Sequence, residues 1–288
     1  EPAFLSLNRE YSFYGKVKND VDPAALRLQA EVDSDAVNRF IALYRLTEQE
    51  IIGLVDSPAR TPSGEYLDLY FRLLSNRDRF LALGGLPLTL YDTVDSPVYA
   101  HRYRALYDAR RGIETALAIR YGKEIRKIYE SLQPEVPLTA PMEVQVPAIK
   151  ERQIRNICLS LLATLDTPEI HDLVRSQFDT GKVATDRLHA FSLYLQSTAP
   201  DRLEVMEAAG RQASAHPVSW EAFLAVVGNC SAPDSVALIR RAAGLPWFRV
   251  NQVNDHRALY GSFAANRKIS LQTEEGRQLF REILLELA

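Results

Sequence analysis

Over most of its length the chain places apolar residues at the spacing of an amphipathic helix. Val37, Phe40, Ile41 and Tyr44 fall at i, i+3, i+4 and i+7, the stripe that one helical face turns to a core. Thr47 followed by Glu50 fits a capping box and predicts a helix start at Thr47. Further helices are expected around 66–76, 98–121 and 123–132. The segment 58–64 reads as a loop, and Gly84-Gly85 with Pro87 as a break.

The second half is more regular. Ile154, Cys158, Leu161 and Leu165 form one stripe, Ala184, Leu188, Phe191 and Leu195 a second, and Trp220, Phe223, Leu224 and Val227 a third. Thr167-Pro168, His216-Pro217 and Ala232-Pro233 each put a proline where the first residue of a helix should fall, since its missing N–H is not needed there. A helix therefore starts roughly every 15 to 18 residues, the rhythm of stacked helix pairs in a solenoid. Leu279, Ile283 and Leu287 supply a last stripe.

Two stretches break the helical period. Residues 7–18 read LNREYSFYGKVK. Tyr11, Phe13 and Val17 lie on one side of an extended segment, and Ser12, Tyr14, Lys16 and Lys18 on the other. That period of two predicts a half-buried strand. Residues 134–147 carry Pro134, Pro137, Pro141 and Pro147 and predict an extended connector between two helical halves. The expected fold class is all-α: stacked antiparallel helix pairs in an armadillo- or HEAT-like superhelix over 21–288, preceded by one residual strand within 1–20.

Composition narrows the picture. The 288 residues are 47% hydrophobic and 25% charged with a net charge of −3, an ordinary globular balance. Basic residues are spread along the chain, so neither composition nor patterning points to nucleic acid. The uncharged stretch 80–91, like every other in the sequence, is too short to span a bilayer. Cys158 and Cys230 sit in apolar helical contexts. Two buried free thiols suit a reducing compartment, and a cytoplasmic location is expected. The chain begins at Glu1, which with the orphan strand suggests a fragment of something longer.

Candidate chemistry is sparse. A hydrolytic zinc site commonly uses H-E-x-x-H, because residues four apart share a helix face. No two of His101, His171, His189, His216 and His256 are four apart, and none precedes a glutamate. They read as surface or capping residues, with His216 at a helix entry, and no metal ligand is assigned. The sequence holds no nucleophile elbow, phosphate loop or dinucleotide fingerprint. Asp33, Ser34 and Asp35 could hold a cation, but an N-cap cluster accounts for them better. Arg110-Arg111 and Arg240-Arg241 read as solvated helix faces.

Several local strings carry a resemblance. The run from Val32 through Asp33, Ser34, Asp35, Ala36, Val37, Asn38 and Arg39 to Phe40 is similar to the H-D-S-D-P-F-N-R-W string of the aminopeptidase N family of zinc metallopeptidases. There it follows the last strand of a small β-sandwich. Arg155-Asn156-Ile157-Cys158-Leu159 resembles L-K-N-x-C-L. Gln177-Phe178 with Thr185-Asp186-Arg187-Leu188 resembles Q-F … M-T-D-R-L. His216-Pro217 with Trp220 resembles H-P … K-W, and Leu245-Pro246-Trp247-Phe248 resembles H-P-x-F. Asn254, then Arg257-Ala258-Leu259 and Gly261 with Phe263, resembles N-R-x-R-A-L-x-G-A-F. Order and spacing make the set specific, while 56–150 matches only loosely. The sequence departs at Ala36 and Val37, at Gln252-Val253-Asn254-Asp255 where the family has N-P-N-R, and at Thr273-Glu274-Glu275-Gly276 where it has D-G-S-G.

The resemblance implies that 1–20 is the last strand of a truncated β-sandwich and that 21–288 is a helical C-terminal domain. It implies a non-catalytic part of a zinc aminopeptidase that removes N-terminal residues from peptides. The domain would wall the substrate cavity and control access. Its partners would be the enzyme's own catalytic and β-sandwich domains and the peptide substrates. The zinc would lie in the catalytic domain, so no catalytic residue is assigned and the chain alone is expected to bind no stoichiometric zinc and to be inactive. Arg257 is the candidate substrate-channel residue, with Asn254 and Tyr260 three positions away on either side. The competing reading of Arg257 is an internal salt bridge. The competing reading of the whole chain is a free-standing helical-repeat scaffold that binds a protein, which would have no use for an orphan strand.

Overall fold

A computed structural model describes residues 3–15, 21–132, 136–137 and 139–287. These residues are helices and turns, with no strand among them. They cluster into two compact units, Glu1–Thr164 and Leu165–Ala288.

In the first unit the helices are α1 (Pro23–Val32), α2 (Ala36–Asp56), α3 (Gly64–Ser75), α4 (Arg77–Leu83), α5 (Tyr103–Ser131) and α6 (Met142–Ala163). Capping side chains start several of them. Asp22 accepts from the Ala24 N–H at 3.3 Å, with Pro23 at the first helical position. Asp35 accepts from the N–H groups of Val37 and Asn38, both at 2.9 Å. Ser63 accepts from Tyr66 N–H at 3.3 Å. Each satisfies donors that the first turn leaves open. α1 packs on α2, and α5 on α6, around buried Leu43, Leu69, Tyr70, Ile113, Leu117 and Ile154.

Among the described residues 7–15 the expected strand is not formed. Arg9–Tyr11 is a single 3₁₀ turn, and Asn8 and Glu10 have φ of 50° and 54°, in the left-handed region that an extended strand excludes. A strand needs a neighbour to satisfy its backbone. Here that role passes to the α1–α2 corner. Glu10 N–H donates to Asp35 at 2.8 Å, the Asn38 amide donates to Leu7 C=O at 3.0 Å, and Arg9 donates to Asp33 and Ser34 at 3.3 and 2.8 Å. Phe13 and Tyr14 are exposed. Lys16, Val17 and Lys18 lie outside the described residues.

The proline-rich connector is also shorter than expected. Pro141 is the N-cap of α6, and the helix runs straight through Pro147. That proline cannot donate to the carbonyl four residues back, but it lies on the exposed side. Buried Ile154, Cys158, Leu159, Leu161 and Leu162 hold the same helix in place. Pro134 lies outside the described residues.

No helix starts at Thr47. α2 continues through it, and its hydroxyl bonds back to Leu43 C=O at 2.9 Å and lies 2.8 Å from the Tyr66 hydroxyl. Such back-bonding is the helix-interior alternative to a cap. The two helices expected over 98–132 are one, α5, with a departure at Tyr121, φ −126°. The Tyr121 ring stacks on Phe71 at 4.1 Å.

The second unit comprises α7 (Pro168–Thr180), α8 (Ala184–Gln196), α9 (Arg202–Ala213), α10 (Pro217–Gly228), α11 (Ser235–Ala243), α12 (Val253–His256), α13 (Ser262–Ala265), α14 (Arg267–Ser270) and α15 (Glu274–Leu287). Pro168 and Pro217 take the predicted first position of α7 and α10. Pro233 instead precedes Asp234, the N-cap of α11. Aromatic rings centre the core. Phe191 lies 5.6 Å from both Phe178 and Phe223, and Trp220 stacks on Phe223 at 5.3 Å. Leu279 and Ile283 of the last stripe are buried, while the Leu287 side chain lies outside the described set.

Candidate functional site

The segment that carries Asn254, Arg257 and Tyr260 is built on one buried carboxylate. Asp255 is fully buried. It accepts from the Arg249 N–H at 3.0 Å and from the Arg249 guanidinium at 3.3 and 3.4 Å. Burial opposes the charged form, but the Arg249 backbone and guanidinium outweigh it and hold the carboxyl below the usual aspartate range. His256 closes the same loop, with Nε2 at 2.6 Å from the Val250 carbonyl oxygen. Its ring and that of Phe248 bracket Tyr260, with centroids 5.4 and 5.9 Å away.

Directly after α12 the chain makes a π turn, Arg257–Gly261. Such turns are rare and concentrate at functional sites. It packs on α10, where Gly228 admits the Leu259 carbonyl. A Cβ on Gly228 would sit 2.3 Å from that oxygen.

Arg257 and Tyr260 border an open groove of about 540 Å³. Its walls include Val250 from the loop, Val253 from α12, and Phe280, Ile283 and Leu284 from α15. Arg257 is exposed and makes no hydrogen bond or ion pair among the described residues, so the internal salt bridge is not formed. Asn254 does not join the groove. Its amide donates to Glu221 of α10 at 3.1 Å. The structure thus brings two of the three candidates together and turns the third to a neighbouring helix. What the arrangement offers is one guanidinium beside apolar walls, suited to a carboxylate or carbonyl oxygens. Two further polar side chains line it, Tyr260 and His256, the latter with Nε2 held 2.6 Å from the Val250 carbonyl oxygen.

The other candidates resolve as scaffold. Asp33 accepts from Asp35 N–H at 2.9 Å and Gln29 at 3.0 Å. Asp35 caps α2, and the Asn38 N–H is the main cause holding its carboxyl low. Arg110 and Arg111 pair with buried Glu114, Arg240 with Glu282, and Arg241 with Glu207, so these arginines are tied rather than merely solvated. His171 pairs with Asp166 at 2.7 Å, and His216 is the N-cap of α10. Among the described residues no three of His, Cys, Asp and Glu are placed to hold a metal. No helix there is long and apolar enough to cross a membrane.

Stacked helix pairs with an open groove and no catalytic cluster define an all-α repeat domain. The chain belongs to the family described as a domain of unknown function (DUF3458_C), ARM repeats, whose model matches residues 23–288. Over 187 residues, 65% of this chain, it is 24% identical to aminopeptidase N of Escherichia coli (strain K12), covering 20% of that protein. The fold is also similar to the crystal structure of Legionella pneumophila aminopeptidase A in complex with aspartic acid. The TM-score is 0.77 at 19% identity, over 97% of this chain and 34% of that one. The chain spans only 20% of the first of these relatives and 34% of the second.

Proposed function

We propose that this chain is the non-catalytic domain of a zinc-dependent aminopeptidase that removes N-terminal residues from peptides, and that it walls the substrate cavity and controls access. The zinc and its ligands belong, on this reading, to a catalytic domain outside the chain. Among the described residues no group of His, Cys, Asp and Glu is placed to hold a metal. The domain's partners are the enzyme's own catalytic and β-sandwich domains and the peptide itself. Both cysteines are buried and unpaired, which supports a reducing, cytoplasmic compartment.

The observation that carries the reading is Arg257. It stands unpaired at the rim of an apolar groove, set there by a buried carboxylate and a π turn. A guanidinium so placed holds a peptide beyond its scissile bond by pairing with backbone carbonyls or the terminal carboxylate. An orphan strand would tell against the rival scaffold reading. Since that strand is not formed among the described residues, similarity to aminopeptidases and the unpaired arginine carry the weight.

The test uses the full-length enzyme. Arg257→Ala should lower kcat/KM for tri- and tetrapeptides by about tenfold, the loss of one charge-assisted contact. An aminoacyl-anilide, too short to reach the groove, should be turned over unchanged, and the isolated chain should release no anilide product. Equal loss on both substrates, or a fall in thermal stability alone, would make Arg257 structural.

A further inference from the structure

A second arginine in this molecule also lacks a partner, and it lies in the other unit. Between α2 and α4 is a crevice of about 40 Å³, floored by Leu43 and Leu88 and walled by Leu73 and Leu83. Two half-buried guanidinium-bearing residues form its rim, Arg39 from α2 and Arg79 from α4. Arg39 spends one N–H on the Asp33 carbonyl at 2.6 Å. The Arg79 side chain makes no hydrogen bond or ion pair among the described residues.

The two carboxylates that act on Arg39, Asp33 and Asp35, take their hydrogen bonds from other groups. Asp33 accepts from Arg9, Gln29 and Asp35 N–H. Asp35 accepts from Val37, Asn38 and Glu10 N–H. Burial first, and then the charge of Arg79, push the Arg39 guanidinium down from its ordinary value, against the opposing pull of Asp33 and Asp35. Two guanidinium groups that repel each other beside an apolar floor, with most of their donors free, favour an anion between them.

We infer that this crevice is a carboxylate site, in which Arg39 and Arg79 clamp the anionic head of a ligand whose small branched apolar group enters among Leu43, Leu73, Leu83 and Leu88. Two planar forks match two carboxylate oxygens in direction as well as charge. Size limits the rest of the ligand. An apolar cavity of about 150 Å³ holds a benzene ring. A space of about 40 Å³ takes an isopropyl group and not a ring. The carboxylate could belong to a free short-chain acid or to the last residue of a peptide, and the head-group chemistry is the same.

Ligand-observed NMR with the 288-residue chain tests this. The probes are 3-methylbutanoate for the free acid, N-acetylleucine for a peptide end, acetate for a head without a branch, and phenylacetate for a head with a ring. At least one branched probe should bind saturably in the millimolar range or tighter, with acetate and phenylacetate at least several-fold weaker. The tighter of the two branched probes names the source. Arg79→Gln should weaken binding about tenfold while leaving the unfolding midpoint unchanged, because that side chain holds nothing inside the protein. Arg79→Lys keeps the charge without the fork, and should weaken binding less. The inference is overturned by the absence of saturable binding, by binding that Arg79→Gln leaves intact, or by acetate or phenylacetate binding as well as the branched acids.

Discussion

The same substitution at two glycines should move stability in opposite directions. Gly112 lies inside α5 with nothing within 4 Å of a built Cβ. Alanine there gains helix propensity and costs no space, so Gly112→Ala should stabilise by about 0.5–1 kcal/mol. Gly228 ends α10. A Cβ there would lie 2.3 Å from the Leu259 carbonyl oxygen and 2.8 Å from Ser262 Cβ. Ordinary contact begins near 3.4 Å, so the π turn must retreat by about 1 Å, a strain in the range of 1–3 kcal/mol for overpacked cores. The obstacle is backbone, so no rotamer change relieves it. Because Gly228 is the last helical residue, little propensity is regained. Differential scanning calorimetry reads both variants, each in its own unit. At about 2–4 °C per kcal/mol, the melting of the second unit should fall by several degrees in Gly228→Ala. Melting of the first should rise slightly in Gly112→Ala. A Gly228→Ala protein as stable as Gly112→Ala would show that the close approach of α10 and the π turn is not real.

Asp255→Asn should cost about 1–3 kcal/mol at neutral pH, the range for hydrogen bonds to a charged group. The folded Asp255 titrates below the ordinary aspartate value of 3.8. Its stabilisation is therefore full above that value and lost as pH falls through the depressed one; urea titrations should show the gap to the parent narrowing below about pH 4 and constant above. Pro147→Ala should stabilise by about 1 kcal/mol or more, up to the ~3 kcal/mol that proline costs in a helix interior, and an unchanged urea midpoint would mean that α6 does not run through this position. Burial pushes the Cys158 thiol up to about 12 and the Cys230 thiol up to about 11. Thiol reagents should thus label the native chain no faster than it opens, and rapid labelling at either position would contradict the burial.

Much of the fold is written in local patterns. The helical stripes of α6, α8 and α10 end in buried Ile154, Cys158, Phe191, Trp220 and Val227, and the prolines at 168 and 217 mark true starts. What misled was also local, and long-range contacts overruled it. The alternation at 11–17 matched a strand, but alternation says nothing of whether a neighbour exists to complete the ladder. Pro147 signalled a break, but one lost hydrogen bond on an exposed side is outweighed by a face of buried leucines and isoleucine. Thr47 and Glu50 have the spacing of a cap, yet their partners, Tyr66 and the pair Arg60 and Ser63, come from beyond the helix. The wall of the groove on α15 could be sensed only as the Leu279–Ile283 stripe. Nothing in the sequence says that Phe280 and Leu284 beside it face Arg257's groove.

The departure at Asn254-Asp255 shows how such a site is made. The spacing of three between Asn254, Arg257 and Tyr260 places all of them on one face only if the helix keeps 3.6 residues per turn. The π turn inserts a wider turn after His256, so the three no longer share a face. Asn254 turns to Glu221, while Arg257 and Tyr260 stay on the groove. The carboxylate at Asp255, where the resembling string has no acid, is the residue that fixes the outcome. Buried and held by Arg249, it anchors the entry to the turn. The Leu259 carbonyl over Gly228 anchors its middle. Between these two fixed points Arg257 pairs with no acid among the described residues, and it borders the groove. A change that looks like the loss of a motif arginine thus strengthens the support of the arginine that remains.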